Sequence, residues 1–274
     1  MRLTLSAGLP PPVRAGVRIA WALVFAACAA HAVHIAAGVG ADPGVAWIFD
    51  GWIYSGIILA GALLILARAV LVADERPAWM LIGAAVLVWS SGDIVWWRVL
   101  SGAEEVAYPS PADYLYLLFF PLLYAGLILL LRARVRRFHA SQWLDGIAAA
   151  LFVAAVGTAI LLPPIVDANE GVATMAVATN LAYPLGDLLV LGLVAAVAGM
   201  TGWRPGRAVG LLAAGCLTFT LADSVYLFQV AAGDYAEGGL LDLCWPVGVV
   251  FMALGAWQPS GRARPGRLEA WGVM

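Results

Sequence analysis

Eight stretches of this 274-residue chain are each long and apolar enough to cross a lipid bilayer. A transmembrane helix needs about 20 predominantly apolar residues. Membrane barrels instead show short alternating segments, so continuous apolar runs indicate helices. The sequence therefore predicts an all-α, polytopic transmembrane bundle with spans at residues 17–39, 46–69, 77–99, 113–132, 143–163, 173–200, 207–231 and 240–258.

The composition supports the same class, because 63% of the residues are hydrophobic and only 12% are charged. A soluble domain has about 25% charged residues. We expect a single transmembrane domain with a cytoplasmic segment at 1–16, the bundle at 17–258 and a cytoplasmic tail at 259–274. The lipid bilayer is the first expected partner. The net charge of -2, without a large basic patch, does not indicate nucleic-acid binding.

All fifteen lysine-or-arginine positions are arginines, and their distribution predicts the orientation. Arginine is enriched in loops on the cytoplasmic side of membranes. If the N-terminus is cytoplasmic, only Arg98 falls outside, and the others lie inside: Arg2, Arg14, Arg18, Arg68, Arg76, Arg132, Arg134, Arg136, Arg137, Arg204, Arg207, Arg262, Arg264 and Arg267. We therefore expect a multi-pass protein of the plasma membrane with both termini in the cytoplasm and Glu104 outside.

Acidic residues show the opposite bias and lie in the predicted outer loops: Asp42, Glu104, Glu105, Asp167, Glu170, Asp234 and Glu237. A solvated outer rim is the simpler interpretation. The alternative is a negatively charged mouth that concentrates cations near the protein.

A helical hairpin unit recurs along the chain. In each copy a polar residue in the outer part of one span is followed, nineteen or twenty residues later, by an aspartate that opens the next span. The pairs are His31 with Asp50, Asp93 with Asp113, and Asp223 with Asp242. Spans 5 and 6 fit this pattern worst. We expect spans 3–4 to superpose on spans 7–8, as a parallel repeat about an axis along the membrane normal.

Asp93, Asp187 and Asp223 lie inside spans, where a charged side chain is costly and must face the protein interior. Two interpretations remain open for them, a hydrogen-bond network that joins helices and a ligand site. Their expected partners are His31, His34, Arg98, Tyr54, Tyr108, Tyr183 and Tyr226. By contrast, a helix N-terminus favours a carboxylate, and this explains Asp50, Asp113, Asp242 and the inner-side Asp145.

We expect Asp93, Asp187 and Asp223 to converge with His31 or His34 on one cavity open to the outside. Pro184 interrupts a long apolar run just before Asp187, which predicts a kinked or broken helix beside that cavity. The candidate ligand-binding residues are His31, His34, Asp93, Trp96, Tyr183, Asp187, Asp223 and Tyr226.

Cys28, His31 and His34 follow one another at intervals of three residues and so share about a third of the helix circumference. Thiolate and imidazole are metal ligands, which makes these residues weak candidates for a metal site. The spacing is no recognised metal motif, and helix packing is the favoured interpretation. No P-loop, Gly-x-Ser-x-Gly or His-Glu-x-x-His motif is present, so no catalytic residue is assigned.

Five short motifs carry a resemblance: Pro109-Ser110-Pro111-Ala112-Asp113-Tyr114, Arg132-Ala133-Arg134, Trp143-Leu144-Asp145-Gly146, Ala182-Tyr183-Pro184-Leu185-Gly186-Asp187 and Ala222-Asp223. Across roughly residues 75–260 the chain resembles the N-terminal multi-helix membrane region of actinobacterial diguanylate cyclase and phosphodiesterase proteins, the GGDEF and EAL proteins. The resemblance implies a link to cyclic-di-GMP signalling. No GGDEF or EAL domain follows within these 274 residues, so the resemblance assigns them no cyclase activity.

The leading functional prediction is a membrane sensor or input module. It would bind a small ligand or ion in the outer cavity and pass a helix shift to a cytoplasmic signalling domain or a second copy of the chain. A small transporter or proton-coupled carrier is the alternative, and an intramembrane metal-dependent enzyme is the third. A transporter needs polar residues that reach both faces. The inner halves of the spans are almost purely apolar, which favours the sensor.

Overall fold

The computed structural model describes residues 8–103, 105–134, 140–168, 174–200 and 206–259. Within these ranges the regular structure is helical, which confirms the all-α prediction. The α-helices are α1 (Pro11–Ala37), α2 (Pro43–Trp47), α3 (Tyr54–Leu71), α4 (Arg76–Val95), α5 (Pro111–Arg134), α6 (Ala140–Ala168), α7 (Thr174–Met200), α8 (Gly206–Ala232) and α9 (Cys244–Ala256). π-helical turns at Ile48–Ile53 and Trp96–Leu100 precede α3 and extend α4, and a 3₁₀ turn at Leu240–Leu243 precedes α9.

The chain is a multi-pass membrane protein. Among the described residues, six helices are long and apolar enough to cross a bilayer: Pro11–Ala37, Gly44–Leu71, Arg76–Leu100, Pro111–Arg134, Thr174–Met200 and Gly206–Val230. Shorter apolar helices, Leu144–Ile160 and Leu240–Ala256, stand where the fifth and eighth spans were predicted. Helices therefore occupy all eight predicted positions, and six of them meet the requirements of length and hydropathy.

Some residues used to predict the orientation lie outside the described part of the chain. They are Arg2, Glu104, Arg136, Arg137, Glu170, Arg204, Arg262, Arg264 and Arg267. The described arginines other than Arg98 lie at one end of the bundle, which we call the arginine-rich end. The opposite end carries the loops after α1, α4 and α8.

Consecutive helices pack as hairpins, because short connections bring antiparallel neighbours together. The closest pairs are α4 with α5, α6 with α7, and α8 with α9, while α3 packs between α4 and α9. The core lies among α3, α4, α5, α8 and α9, where Ile58, Ile65, Ile82 and Met252 are fully buried. Large apolar side chains on α1 and α6, such as Leu23 and Phe152, are exposed, as expected for surfaces that face lipid.

Glycines allow α8 and α9 to approach each other closely. A Cβ atom added at Gly215 would lie 2.6 Å from the carbonyl oxygen of Gly248, so a larger residue does not fit there. Small residues at helix interfaces are typical of membrane bundles, because they let the backbones come into contact. This contact holds Asp223 of α8 beside Trp245 of α9.

A buried ionic cluster joins four helices at the arginine-rich end. Arg68 of α3 is fully buried, and its Nε donates to the carbonyl oxygen of Ala256 at 3.0 Å. Its guanidinium lies over the ring of Trp79, 5.4 Å from the centroid, and 3.8 Å from Glu75. Glu75 also accepts two hydrogen bonds from Arg134 at 2.6 and 2.8 Å. The cluster thus ties α3, α5 and α9 to the start of α4.

Candidate functional site

A cavity of about 670 Å³ lies at the end of the bundle opposite the arginine-rich end. Its lining includes seven of the eight predicted ligand-binding residues: His31, Asp93, Trp96, Tyr183, Asp187, Asp223 and Tyr226. Three aspartates and a histidine thus line one cavity, whereas its opening to the outside and the role of these residues in ligand binding stay predictions. The side chains of Tyr108 and Tyr226 are partly exposed and lie at its mouth.

His34 is the candidate residue that does not line the cavity. Its Nδ1 lies 2.7 Å from the carbonyl oxygen of Val39, and its Nε2 lies 3.1 Å from Oδ1 of Asp50. Its ring stacks on Phe49, with centroids 4.4 Å apart. His34 therefore anchors the end of α1 to the π-helical turn, and Asp50 lines the cavity in its place.

Asp93 of α4 is buried and has one hydrogen-bond donor among the described residues. The hydroxyl of Tyr116 donates to Oδ1 at 3.0 Å, and Oδ2 is buried without a partner. Gly92 makes room for this donor, because a Cβ atom there would lie 2.6 Å from the Tyr116 ring. The Gly92-Asp93 pair thus positions a carboxyl group with one oxygen available to the cavity.

Asp223 of α8 has the same arrangement. The Nε1 of Trp245 donates to Oδ1 at 2.6 Å, and Oδ2 is buried without a partner among the described residues. In both hairpins the donor stands three residues after the aspartate at the helix start: Tyr116 after Asp113, and Trp245 after Asp242. These two contacts support the predicted repeat; the superposition itself stays a prediction. In the hairpin of α1 and α3 the rings of His31 and Tyr54 pack with centroids 6.0 Å apart, but Tyr54 stands four residues after Asp50 and no hydrogen bond joins it to His31.

Asp187 of α7 is the deepest of the acidic lining residues. Its Oδ1 accepts a hydrogen bond from Thr220 at 3.1 Å, and its carboxyl group lies close to that of Asp223. Two neighbouring carboxylates repel each other, so this part of the cavity disfavours a second negative charge.

The expected partners of the buried aspartates were largely wrong. Arg98 lies over the ring of Trp52, 3.4 Å from the centroid, and it does not line the cavity. Tyr183 donates to Asp113 at 2.7 Å, and Tyr108 donates to Asn180. Sequence reasoning missed the actual donors to the buried aspartates, Tyr116, Trp245 and Thr220, as well as Trp89, Asn180 and Tyr235 in the lining.

The aspartates at the helix starts satisfy nearby backbone groups, as their position predicts. Oδ2 of Asp113 accepts from both the backbone N and the hydroxyl of Ser110 at 2.7 Å, an arrangement of the capping-box type. Oδ2 of Asp242 accepts from the backbone N of Gly238 at 2.6 Å, and Oδ1 accepts from Tyr235 at 2.9 Å. Burial, reinforced by Asp242, raises the pKa of the Tyr235 phenol, so this hydroxyl keeps its proton and remains a donor.

α7 is continuous through Pro184, so of the predicted kink or break the break is wrong, and the kink stays a prediction. Proline lacks the N–H that would bond the preceding turn. Here it lines the cavity together with Tyr183. Gly186, on the same helix, is in close contact with the Phe120 ring, and its carbonyl oxygen accepts a hydrogen bond from Tyr124 at 2.5 Å.

The lining has a marked chemical character. It contains seven carboxyl groups, from Asp50, Asp93, Asp113, Asp187, Asp223, Glu237 and Asp242. It also contains ten aromatic side chains, from Tyr54, Trp89, Trp96, Trp97, Tyr108, Tyr116, Tyr183, Tyr226, Tyr235 and Trp245. Within the described part of the chain, no arginine is among the lining residues, and the sequence contains no lysine. We refer to this site as the acidic aromatic cavity.

The described residues do not support a metal site. They contain no group of three or more histidine, cysteine, aspartate and glutamate side chains arranged to hold a metal ion. His31 and His34 lie with ring centroids 6.3 Å apart, and Cys28 is outside the cavity lining. Cys28, His31 and His34 therefore contribute to helix packing, with His31 also facing the cavity.

No protein-family model, curated protein or solved structure matches this chain. The resemblance to cyclase and phosphodiesterase membrane regions therefore stays a prediction from its motifs. Of the four aspartates in those motifs, Asp113, Asp187 and Asp223 line the acidic aromatic cavity, whereas Asp145 does not. The motifs and the candidate site therefore overlap only in part.

Proposed function

We propose that this protein is a membrane sensor that binds a small ligand in the acidic aromatic cavity and signals to its arginine-rich end. The observation that carries the proposal is that the cavity ends inside the bundle. Trp89, Phe119 and Phe219 form its floor, with ring centroids 4.5 to 5.3 Å apart. Phe119 and Phe219 are buried beneath Trp89, which itself lines the cavity.

The packing below this floor favours sensing over transport. Ile58, Ile65, Ile82, Val86 and Met252 are all fully buried between the floor and the ionic cluster. None of them lines the cavity. Transporters place their sites between two halves that rock to expose either face. A close-packed apolar layer offers a ligand no polar route onward, so binding without translocation is the simpler function.

The arginine distribution supports a cavity that faces the outside. Arg98 alone of the described arginines lies at the cavity end, and the others lie at the opposite end. Under the positive-inside rule the arginine-rich end is cytoplasmic. We therefore place the protein in the plasma membrane with both termini in the cytoplasm.

Four helices connect the cavity to the arginine-rich end. The cavity is lined by Tyr54 of α3, Asp93 of α4, Tyr116 of α5 and Trp245 of α9. The same helices meet at the Arg68 cluster. A ligand that changes the Asp93–Tyr116 or Asp223–Trp245 contacts shifts helices that share one cytoplasmic junction. The receiver is a cytoplasmic signalling domain or a second copy of the chain, and the motif resemblance suggests cyclic-di-GMP signalling.

A tethered occupant tests this proposal without knowledge of the ligand. Ser224 is half-buried and lines the cavity. In a chain with Cys28, Cys216 and Cys244 changed to serine, Ser224→Cys is treated in intact cells with a membrane-impermeant methanethiosulfonate. We expect modification from outside and altered hydrogen exchange in residues 72–76, beside the ionic cluster. Leu221→Cys is the matched control, because Leu221 is exposed on α8 and outside the cavity.

Two results would contradict the proposal. Absence of modification at Ser224→Cys in intact cells would mean that the cavity does not face the outside. Modification that leaves the exchange of residues 72–76 unchanged would mean that occupancy is not communicated through the bundle. Equal modification from both sides of the membrane would favour the transporter alternative.

A further inference from the structure

We infer that the acidic aromatic cavity binds an organic cation of the protonated-amine class, one that carries N–H donors on an apolar body. The inference rests on the proposed function, because it names the ligand of that same site. Three independent features of the lining lead to it: the sign of its charges, its unpartnered hydrogen-bond acceptors and its aromatic walls.

The charges select a cation. Seven carboxyl groups face the cavity, and no arginine lies among its described lining residues. A cleft lined by one sign of charge, with apolar walls, focuses the field and concentrates ions of the opposite sign. A carboxyl group carries no positive charge in either protonation state, so these seven groups offer an anionic ligand no partner of opposite charge.

Two unpartnered carboxyl oxygens favour a ligand with hydrogen-bond donors. Oδ2 of Asp93 and Oδ2 of Asp223 are buried and lack a partner among the described residues, as do both ring nitrogens of His31 and Nε1 of Trp89. An ionised carboxylate only accepts hydrogen bonds, and a buried acceptor left without a donor costs about 1–3 kcal/mol. An ammonium group supplies up to three N–H donors. A quaternary ammonium supplies none, so it would leave both oxygens unsatisfied.

The aromatic walls and the volume select an organic ligand. Trp89, Trp96, Trp97, Tyr116 and Trp245 all line the cavity. A cation over an aromatic face gains about 0.5–2 kcal/mol, and the rings also pack against apolar groups. The cavity of about 670 Å³ falls within the range of small-molecule pockets, roughly 300–1,000 Å³. A bare metal ion would fill little of the cavity. The described residues contain no group of three or more histidine, cysteine, aspartate or glutamate side chains arranged to hold one.

A matched series of probes tests the inference on the full chain in lipid nanodiscs by isothermal titration calorimetry. Phenethylamine supplies the ammonium, 2-phenylethanol is its neutral analogue, phenylacetate is its anionic analogue, and phenyltrimethylammonium lacks N–H donors. We expect phenethylamine to bind at least about tenfold more tightly than each of the others, because a charge-assisted hydrogen bond is worth about 1.5–3 kcal/mol. Ca²⁺ and Zn²⁺ complete the series and are expected to bind more weakly than phenethylamine.

Variants locate the binding in the cavity. Asp93→Asn and Asp223→Asn should each weaken phenethylamine binding by about tenfold or more. Asp145→Asn should leave it unchanged, because Asp145 is exposed at the start of α6, at the other end of the bundle. The probe series on the unaltered chain decides the ligand class even if one aspartate variant fails to fold.

The outcomes separate this inference from the proposed function. Equal binding of phenethylamine and 2-phenylethanol would overturn the inference about the ligand. So would binding of phenylacetate, phenyltrimethylammonium or a divalent ion that is tighter than that of phenethylamine. If none of the probes binds while Ser224→Cys is still modified and alters exchange at residues 72–76, the inference fails and the sensor proposal stands. If Ser224→Cys is not modified from outside, the sensor proposal fails as well.

Discussion

Asp187 shows how a carboxyl group can be buried deep in an apolar bundle. Its Oδ1 accepts a hydrogen bond from Thr220. A buried polar group is tolerated when its hydrogen bonds are satisfied, whereas an isolated buried charge is costly.

Asp187→Asn tests this arrangement, because the amide oxygen can still accept the hydrogen bond from Thr220. We expect the thermal unfolding midpoint to stay close to that of the unaltered protein. Asp187→Leu removes the acceptor of the Thr220 hydroxyl and should lower the free energy of unfolding by about 1–3 kcal/mol. The two midpoints are compared by thermal unfolding in detergent. Equal loss in both variants would mean that the hydrogen bond from Thr220 does not stabilise the bundle.

The helical hairpins are the units that place these residues. In α4–α5 and α8–α9 an aspartate of the first helix accepts a hydrogen bond from an aromatic residue in the first turns of the second. Glycines at Gly92 and Gly215 allow the close approach that these bonds need. The two hairpins therefore use the same contact with different donors, Tyr116 in one and Trp245 in the other.

This equivalence predicts a partial rescue. Trp245→Phe removes the Nε1–H donor to Asp223 and should lower the free energy of unfolding by about 1–3 kcal/mol. Trp245→Tyr provides a hydroxyl, as Tyr116 does, and should lose less. Trp47→Phe is the control, because its Nε1 donates to Gly44 at an exposed position. If Trp245→Tyr and Trp245→Phe unfold at the same midpoint, the two hairpins are not equivalent in this contact.

The sequence predicts the fold and the acidic side chains of the site better than their partners. Apolar runs identify the helices, and an aspartate within such a run must face the protein, so Asp93, Asp187 and Asp223 could be assigned to a cavity. The donors Tyr116 and Trp245 could not, because tyrosine and tryptophan near helix ends also form the interfacial belt. Pro184 does not break α7, because a membrane helix can continue through a proline, and the sequence alone does not separate a continuous helix from a broken one.

At the scale of the whole molecule, the ionic cluster joins the helices at the end of the bundle opposite the cavity. Arg68 is fully buried, and Glu75 bridges it to Arg134 across α3, α4 and α5. Breaking a buried ion pair by removing one partner leaves an uncompensated charge, which is strongly destabilising. The cluster therefore holds together, at the arginine-rich end, helices that line the cavity at the other end.

Glu75→Gln should lower the free energy of unfolding by about 3–5 kcal/mol, because it leaves the buried Arg68 guanidinium without a carboxylate. Glu105→Gln is the matched control and should have little effect, since Glu105 is exposed in the loop after α4. Thermal unfolding in detergent compares the two. A Glu75→Gln protein as stable as the control would show that the backbone acceptors alone satisfy Arg68.

The aromatic floor of Trp89, Phe119 and Phe219 also determines how the membrane voltage is distributed across the protein. An elementary charge that crosses the full membrane potential gains or loses about 2.3 kcal/mol per 100 mV. With the cavity connected to one side, most of the voltage falls across the apolar layer beneath the floor. In the proposed orientation, a cation bound above Trp89 stays near the electrical potential of the outer solution, and its affinity should be almost independent of the cell's energisation.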